Sequence, residues 1–508
     1  MSVSMIWLGV ALYLVISVLV AFASREGKSR DMSGYFLGSR SMSGVVSSLS
    51  YSATTYSAFM MIGLVGLTYA GGIGALGFEI MYFAGVSLAA IFGPKFWRVG
   101  KRYGFITPTE MLGHRYQSKP VAMISAIASC LFLIPYSAVQ LSGIGLLLSG
   151  MTDGAITFSV GIMLATAIAV LFSYIAGIRS VMWTDSLQAL LMIIASTAVV
   201  FIVVYQLGGF SEMFANLSEN HPESLTVPGS GFFSFTTFLA LSIPWFFFSL
   251  SSPQLSQRLF IPGSLRAMRQ MILGFMVFGL LFTVVAVLLG LSSLAAFPDL
   301  ASADLATPTL LSSDMIPPLL GVILMVGVMA AAVSTIDSIM LTLSSMFARD
   351  VYGVINKEAS ERSQLRIGKF VIPVIAGMAL AFAQLQLDLI AVLSVASSAG
   401  LIVLVPSIIG AFYWRGGTAA GSIASILVAG VAVIAAQATG FRIFGLPPGI
   451  WGIFLATGVF VGVSLVTRAP EQRAKEFVAI ALNRGDGAPD ATGAPDERPI
   501  QGGAGAIG

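Results

Sequence analysis

The chain has 508 residues, of which 56% are hydrophobic and only 10% are charged, against roughly 45 to 50% and about 25% in ordinary soluble domains. With 26 Lys and Arg, 23 Asp and Glu and a net charge of +3, it has too little charge to coat a water-facing surface of that size, which excludes a soluble enzyme. Most of this chain is solvated by lipid. The single cysteine, Cys130, lies in an apolar run and excludes an intrachain disulfide, and the two histidines, His114 and His221, both read as loop residues. They leave no HExxH pair and no His/Cys ligand set for a zinc hydrolase.

A helix needs about 20 apolar residues to cross ~30 Å of hydrocarbon. The first such run, 5–24, is preceded by no basic residue and followed by Arg25, Lys28 and Arg30, the reverse of a signal peptide, and so predicts a retained helix with its N-terminus outside. Further spans are predicted at 44–70, 75–94, 121–149, 155–176, 180–207 and 231–251, then at 271–296, 315–347, 370–386, 389–413, 418–437 and 447–467, thirteen in all. An outside N-terminus puts 25 of the 26 Lys and Arg on inner connections or the tail, Arg442 being the exception, as the positive-inside rule requires. The outer connections 208–230 and 297–314 carry Glu212, Glu219, Glu223, Asp299, Asp304 and Asp314 and no Lys or Arg. From Gly485 onward, seven Gly and three Pro in 24 residues predict a disordered inner extension. The basic residues are spread along the inner rim rather than gathered in one module, which argues against nucleic-acid binding.

Within these spans, some residues fit a lipid-facing helix poorly. Ser47, Ser48, Ser50, Ser52, Thr54, Thr55 and Ser57 crowd the first half of the second span, where hydroxyls compete for backbone hydrogen bonds. A break near 53–57, with carbonyls freed toward an interior site, is one reading; close helix packing by small residues is the other. In the ninth span Ala331, Ser334, Thr335 and Ser338 share one helix face, either a half-shell of oxygens for a hard cation or packing contacts between helices. Asp185 in the sixth span and Asp337 in the ninth each cost roughly 2.5 to 3.5 kcal/mol at mid-membrane. They point to a cation or proton pathway, or to a hydrated inner mouth where Asp185 pairs with Arg179. Glu79 stands near the start of the third span, where carboxylates are favoured. No Arg or Lys is expected within a core span to pair with a solute carboxylate.

Several ordered stretches, YFLGSRS at 35–41, FITPTEMLGHRY at 105–116, WTDSLQ at 183–188, SPQLSQRLF at 252–260 and AAAVSTIDS at 330–338, resemble the sodium:solute symporter family through most of 5–467. The resemblance implies an all-α polytopic membrane protein with a LeuT-type core of two inverted five-helix repeats. The N-terminal helix and inner loop occupy 1–43, the core 44–413 (repeats 44–207 and 231–413), two accessory helices 414–467, and the disordered cytoplasmic tail 468–508. It implies a sodium site made by carbonyls of Ala53, Tyr56 and Ala331 and hydroxyls of Ser334 and Thr335. Some relatives hold a second sodium at positions matching Asp185, Ser334, Asp337 and Ser338. Here an aspartate replaces one hydroxyl, so Asp185 and Asp337 are expected to share a cation or a proton.

For the solute or its gate, the resemblance selects Thr55, Ser57, Phe59, Met60, Glu79, Tyr136 and Trp245. Glu79 falls where sugar carriers hold sugar, but Thr55 and Met60 replace other polar contacts of those carriers. Tyr136, Trp245 and Pro253 are similar to proline carriers, while Phe59 and Ser249 depart from them. The implied function is sodium-coupled uptake of a small organic solute such as proline, pantothenate or a short monocarboxylate, by alternating access. It takes place in the plasma (inner) membrane with the C-terminus cytoplasmic, without enzymatic chemistry and without a cofactor other than the coupling sodium ion. Proton coupling through Asp185 and Asp337 is the alternative within transport. A transporter-like sensor is the alternative outside it, disfavoured because 41 residues from Arg468 hold no kinase or receiver domain.

Overall fold

The structure, a computed structural model, describes residues 2–24, 31–229, 231–386 and 390–483. Every regular element among them is helical, with only two isolated bridges, Met42 to Pro262 and Ile443 to Leu446. Among the described residues, eleven helices are long and apolar enough to cross a membrane, twelve when the pair Gly44–Thr55 and Phe59–Gly71, bent by 53°, counts as one broken span. The expected segment 155–176 is the shorter apolar helix Phe158–Tyr174, so thirteen is not reached on length. Gly177 is the physical reason for the division there: at φ 64° it interrupts the 49-residue run Phe158–Gln206, in a conformation that only glycine adopts cheaply. A Cβ at Gly177 would also meet the Tyr35 carbonyl at 2.9 Å.

Local chemistry sets most helix starts. Ser43, Thr157, Ser234, Ser264, Ser360 and Thr418 each accept the backbone N–H three residues on, satisfying donors the helix itself cannot reach. Thr107 does the same for Glu110 at 2.9 Å while Glu110 accepts the Ile106 N–H at 2.8 Å, a reciprocal cap. His114 therefore sits on a helix, Pro108–Arg115, and not in a loop as the sequence suggested; His221 does follow the end of its helix. The stretch assigned to the tail from 468 also departs from expectation. It begins with a helix, Glu471–Ala481, that buries Ala474, Phe477, Val478 and Ala481 because its apolar residues repeat at helical spacing. The predicted disordered extension at 485–508 lies outside the described residues.

Burial separates core from periphery. The most apolar window of Pro318–Ile355 is 83% buried and that of Ile390–Tyr413 78%, against 28% for Val3–Ala23 and 39% for Pro448–Leu465. A lipid-facing helix gains nothing from hiding apolar surface, so deep burial marks the spans whose side chains carry function. Pro318–Met346, hereafter the hydroxyl helix, runs through the centre against both the broken span and Phe158–Gln206. Gly74–Tyr103 and Phe235–Ser251 approach closely because Gly85 has no side chain: a Cβ there would fall 1.9 Å from the Phe246 carbonyl. Ser249 fastens the same crossing with a 2.8 Å bond to the Gly85 carbonyl.

The motifs that carried the resemblance converge largely on one end of the bundle. Thr107 and Thr109 each donate to Asp350 at 2.6 Å, and Arg349 pairs with Glu110 at 2.8 Å. Gln257 reaches the Ile106 carbonyl at 2.9 Å and Ser345 at 3.0 Å. Arg40 donates to the Gly100 and Phe105 carbonyls, and Arg115 to those of Ala411 and Trp414. These polar side chains fasten connecting segments across the mouth of the bundle.

Candidate functional site

The broken span supplies the first half of the site. Its hydroxyls turn back on their own helix, Ser52 to the Ser48 carbonyl at 2.9 Å and Thr55 to that of Tyr51 at 2.8 Å, which weakens the ladder toward the break. At Tyr56 the backbone leaves helical geometry (φ −87°, ψ 81°). The chain resumes at Phe59 after Gln140 has accepted the Ala58 N–H at 3.1 Å and Ser57 that of Phe59 at 3.2 Å. Non-helical backbone at this depth survives because it is buried in protein and its donors are met.

The hydroxyl helix supplies the second half. Ser334 donates to the carbonyls of Ala53 and Ala331, each at 2.9 Å. Thr335 lies 3.0 Å from the Thr54 carbonyl, 3.1 Å from that of Ala331 and 3.4 Å from that of Ala53. Four of the five residues expected to form a sodium site, Ala53, Ala331, Ser334 and Thr335, thus present oxygens to one another with no exposure to solvent. Tyr56 stands at the break, its ring stacked on Phe275 at 5.3 Å, and no measured contact brings its carbonyl into this set. The Thr54 carbonyl, not anticipated, joins it. Neutral oxygens from two helices suit a hard monovalent cation, with hydroxyls turned by rotation of their protons.

One turn further along the hydroxyl helix lies a charged cluster. Asp185 accepts Ser50 at 2.6 Å and pairs with the Arg258 guanidinium at 3.0 Å. Arg258 also donates to the hydroxyls of Ser50 and Ser338, and Ser338 lies 3.1 Å from Thr54 and 3.4 Å from Asp337. The second oxygen of Asp337 has no hydrogen-bond partner. Two expectations are corrected here. A basic residue does enter the core, since Arg258 is 2% exposed, and Asp185 pairs with it rather than with Arg179. Arg258 had been counted with the rim charges of 252–270, but Pro253–Arg258 is a short buried helix folded back into the bundle.

Beyond the break the aromatic residues gather. Glu79, fully buried, accepts the Trp245 indole N–H at 3.1 Å. The Trp245 ring lies 4.7 Å from Phe59, 4.8 Å from Phe248, 5.5 Å from Tyr82 and 5.7 Å from Phe78, and Tyr136 stands 5.4 Å from Phe248. Of the candidate solute residues, Phe59, Glu79, Tyr136 and Trp245 meet in this box. Ser57 caps the resumed helix beside it, and Thr55 turns to its own backbone. Met60 is buried on that helix with no contact that ties it to the box. Ser249 and Pro253 have structural roles, at the Gly85 crossing and at the start of the short helix. Phe78, Tyr82, Phe248 and Gln140 were missed; Phe78 with Tyr82 and Trp245 with Phe248 repeat at helical spacing, the signal that could have found them.

Comparison with known proteins follows the same lines. The family model described as Sodium:solute symporter family matches residues 35–429. The sodium/pantothenate symporter of Haemophilus influenzae is 26% identical over 86% of this chain and 92% of its own length. The sodium/proline symporter of Staphylococcus aureus is 25% identical over 94% of each. Among solved structures, a Na⁺-coupled sialic acid symporter in a substrate-bound outward-open state superposes with a TM-score of 0.77 at 18% identity, over 92% of this chain and 98% of that one. That likeness carries the fold, the LeuT-type all-helical class expected from the sequence.

Proposed function

This chain belongs to the sodium:solute symporter family, and from that premise we propose that it couples inward Na⁺ flow to uptake of a small organic solute by alternating access. The observation that carries this reading is the set of neutral oxygens from Ala53, Ala331, Ser334 and Thr335 between the broken span and the hydroxyl helix, with Tyr56 at the break. Sodium bound there ties two elements that must separate when the bundle rocks. Its presence outside favours the solute-binding arrangement, and its loss to a low-sodium interior removes that bias. The core is assigned to 44–413, with repeats 44–207 and 231–413. With Arg258 set aside inside the bundle, 24 of the 26 Lys and Arg still fall on inner connections or the tail, an asymmetry that supports a plasma (inner) membrane protein with its N-terminus outside and its C-terminus cytoplasmic. Proline and pantothenate are the first solutes to screen, as the names of the relatives suggest.

The charged cluster supports a single-sodium stoichiometry. Asp185 already holds a cation of the chain itself, Arg258, which also donates to Ser338 beside Asp337. Two carboxylates against one guanidinium leave one negative charge in excess, a requirement met by a proton. The unpartnered Asp337 oxygen therefore favours a second reading, proton coupling at this cluster. Imposing a pH gradient in place of a sodium gradient on reconstituted vesicles separates the two.

The direct test is the thermal unfolding midpoint of the purified protein in Na⁺ against K⁺ at fixed ionic strength. A ligand that binds only the folded state adds about 2.7 kcal/mol at 100 times its Kd. The wild type is expected to shift in Na⁺, and Ser334→Ala with Thr335→Ala to abolish the shift. Equal midpoints in the two salts for the wild type would sink the sodium reading.

A further inference from the structure

Glu79 is 0% exposed, and one of its carboxylate oxygens has no hydrogen-bond partner. The other accepts only the neutral Trp245 N–H. Among the described residues no Lys, Arg or His forms an ion pair with it. Asp185, equally buried in the same bundle, also has one oxygen without a hydrogen-bond partner, but its other oxygen takes a guanidinium and a hydroxyl, so the chain itself balances its charge. A carboxylate taken out of water without such a partner is strongly disfavoured, so the box is electrostatically incomplete.

What surrounds the free oxygen specifies what completes it. Trp245 stacks on Phe248 at 4.8 Å with 20° between the planes, and on Phe78 at 5.7 Å with 25°, with Phe59 and Tyr82 packed against its ring. Aromatic faces carry negative potential and attract a desolvated cation, and carboxylate and rings therefore act in the same sense. The Gln140 amide nitrogen, buried without a hydrogen-bond partner, belongs to the side chain that caps the resumed helix at Ala58 and offers a donor to a polar group on the same solute. A simple anion would set a second negative charge beside Glu79 with no basic side chain to balance it.

Resting on the reading of this box as the solute site, we infer that it selects a solute by a positively charged nitrogen, a protonated or quaternary amine held between the Glu79 carboxylate and the rings around Trp245. A zwitterion with its amine at Glu79 meets this requirement. An organic acid without an amine does not.

The experiment is binding to the purified full chain in Na⁺, read by calorimetry and by the unfolding midpoint, with L-proline, glycine betaine and choline as amine probes and D-pantothenate, lactate and galactose as amine-free probes. At least one amine probe is expected to bind, and Glu79→Gln to weaken it at least tenfold while the midpoint shift caused by Na⁺ alone persists, which shows that the variant is folded. Trp245→Phe, which keeps a ring and loses the N–H, should weaken it less. The inference is overturned if no amine probe binds, if an amine-free probe binds as tightly as the best amine, or if Glu79→Gln leaves amine binding unchanged. A wild type that fails to respond to Na⁺ overturns the symport reading instead, and a wild type that responds to Na⁺ without amine selectivity overturns this inference alone.

Discussion

Asp185 and Glu79 are both fully buried carboxylates in a bundle solvated by lipid, and they are partnered in opposite ways. One oxygen of each has no hydrogen-bond partner; the other takes a guanidinium at 3.0 Å and a hydroxyl at 2.6 Å in Asp185, and only an indole N–H in Glu79. The contrast distinguishes a charge that holds the fold from a charge that awaits a ligand. Between them lie the oxygens of Ala53, Ala331, Ser334 and Thr335, which bear no formal charge and can release and rebind a monovalent ion without leaving an uncompensated charge behind.

The largest expected effect breaks the first member of the pair. Arg258→Met leaves Asp185 and Asp337 buried without their counter-ion, and removing one partner of a buried ion pair costs about 3 to 5 kcal/mol. The unfolding midpoint in detergent should fall sharply. Removing both partners, Arg258→Met with Asp185→Leu, should recover part of the loss, because no charge at Asp185 is then stranded. If the double variant is no more stable than the single one, the guanidinium is holding something other than Asp185.

Next in size is the neutral site. Each hydroxyl removed from the Ser334 and Thr335 pair deprives the carbonyls of Ala53, Thr54 and Ala331 of a partner, at about 1 to 3 kcal/mol for each buried group left unsatisfied. The single variant Thr335→Ala should raise the sodium concentration for half-maximal uptake roughly tenfold, one factor of ten being about 1.4 kcal/mol. Thr335→Ser, which keeps the hydroxyl, should restore it. Equal sodium requirements in the Ala and Ser variants would show that the hydroxyl is packing rather than ligand.

How much of this could be read in the sequence depended on contrast with background. Ser334 and Thr335 stood out because hydroxyls at i and i+1 on an apolar helix have few structural excuses, and the run Ser47 to Ser57 because so many hydroxyls undermine one span. Asp185 and Asp337 stood out by their insertion cost. Arg258 was hidden by the same rule that fixed the topology: a basic residue in 252–270 is what a rim connection should contain, and nothing local says that Pro253–Arg258 turns inward. Phe78, Tyr82 and Phe248 were hidden among 35 Phe and 13 Tyr, a background in which an aromatic residue carries little information until its neighbours in space are known. Gln140 had the opposite property, one amide in an apolar helix, and went unread because its partner, the Ala58 N–H, exists only once the broken span is folded.

Gln140 sharpens the comparison at the break itself, where no ion pair is formed among the described residues. Gln140→Leu strands the Ala58 N–H and should cost about 1 to 3 kcal/mol, seen as a lower midpoint both with and without sodium. Gln140→Glu, which keeps an acceptor, should cost less unless the added charge goes unpaired. A neutral result for Gln140→Leu would mean that the helix closes over the gap, and the break would then be a feature of one state rather than of the sequence.

The smallest effect comes from a third way of managing a titratable group, which is to keep it neutral. His114, on Pro108–Arg115 outside the spans, is half-buried with its ring 4.3 Å from Tyr103 and 5.1 Å from Phe105. Burial first, and then the charge of Arg473, hold its pKa down to about 4 from 6.5, against a small opposing pull from Glu476. The unfolded chain therefore binds the proton more readily than the folded one, and stability should rise with pH between about 4 and 6.5 and be flat above. His114→Phe keeps the ring contacts and removes the proton site, so the midpoint measured from pH 7.5 down to 5 should fall less steeply than in the wild type. Sodium and solute responses at pH 7.5 should be untouched, because the imidazole is neutral there and distant in the chain from the residues that hold either. A variant whose pH profile matched the wild type would locate the acid sensitivity elsewhere.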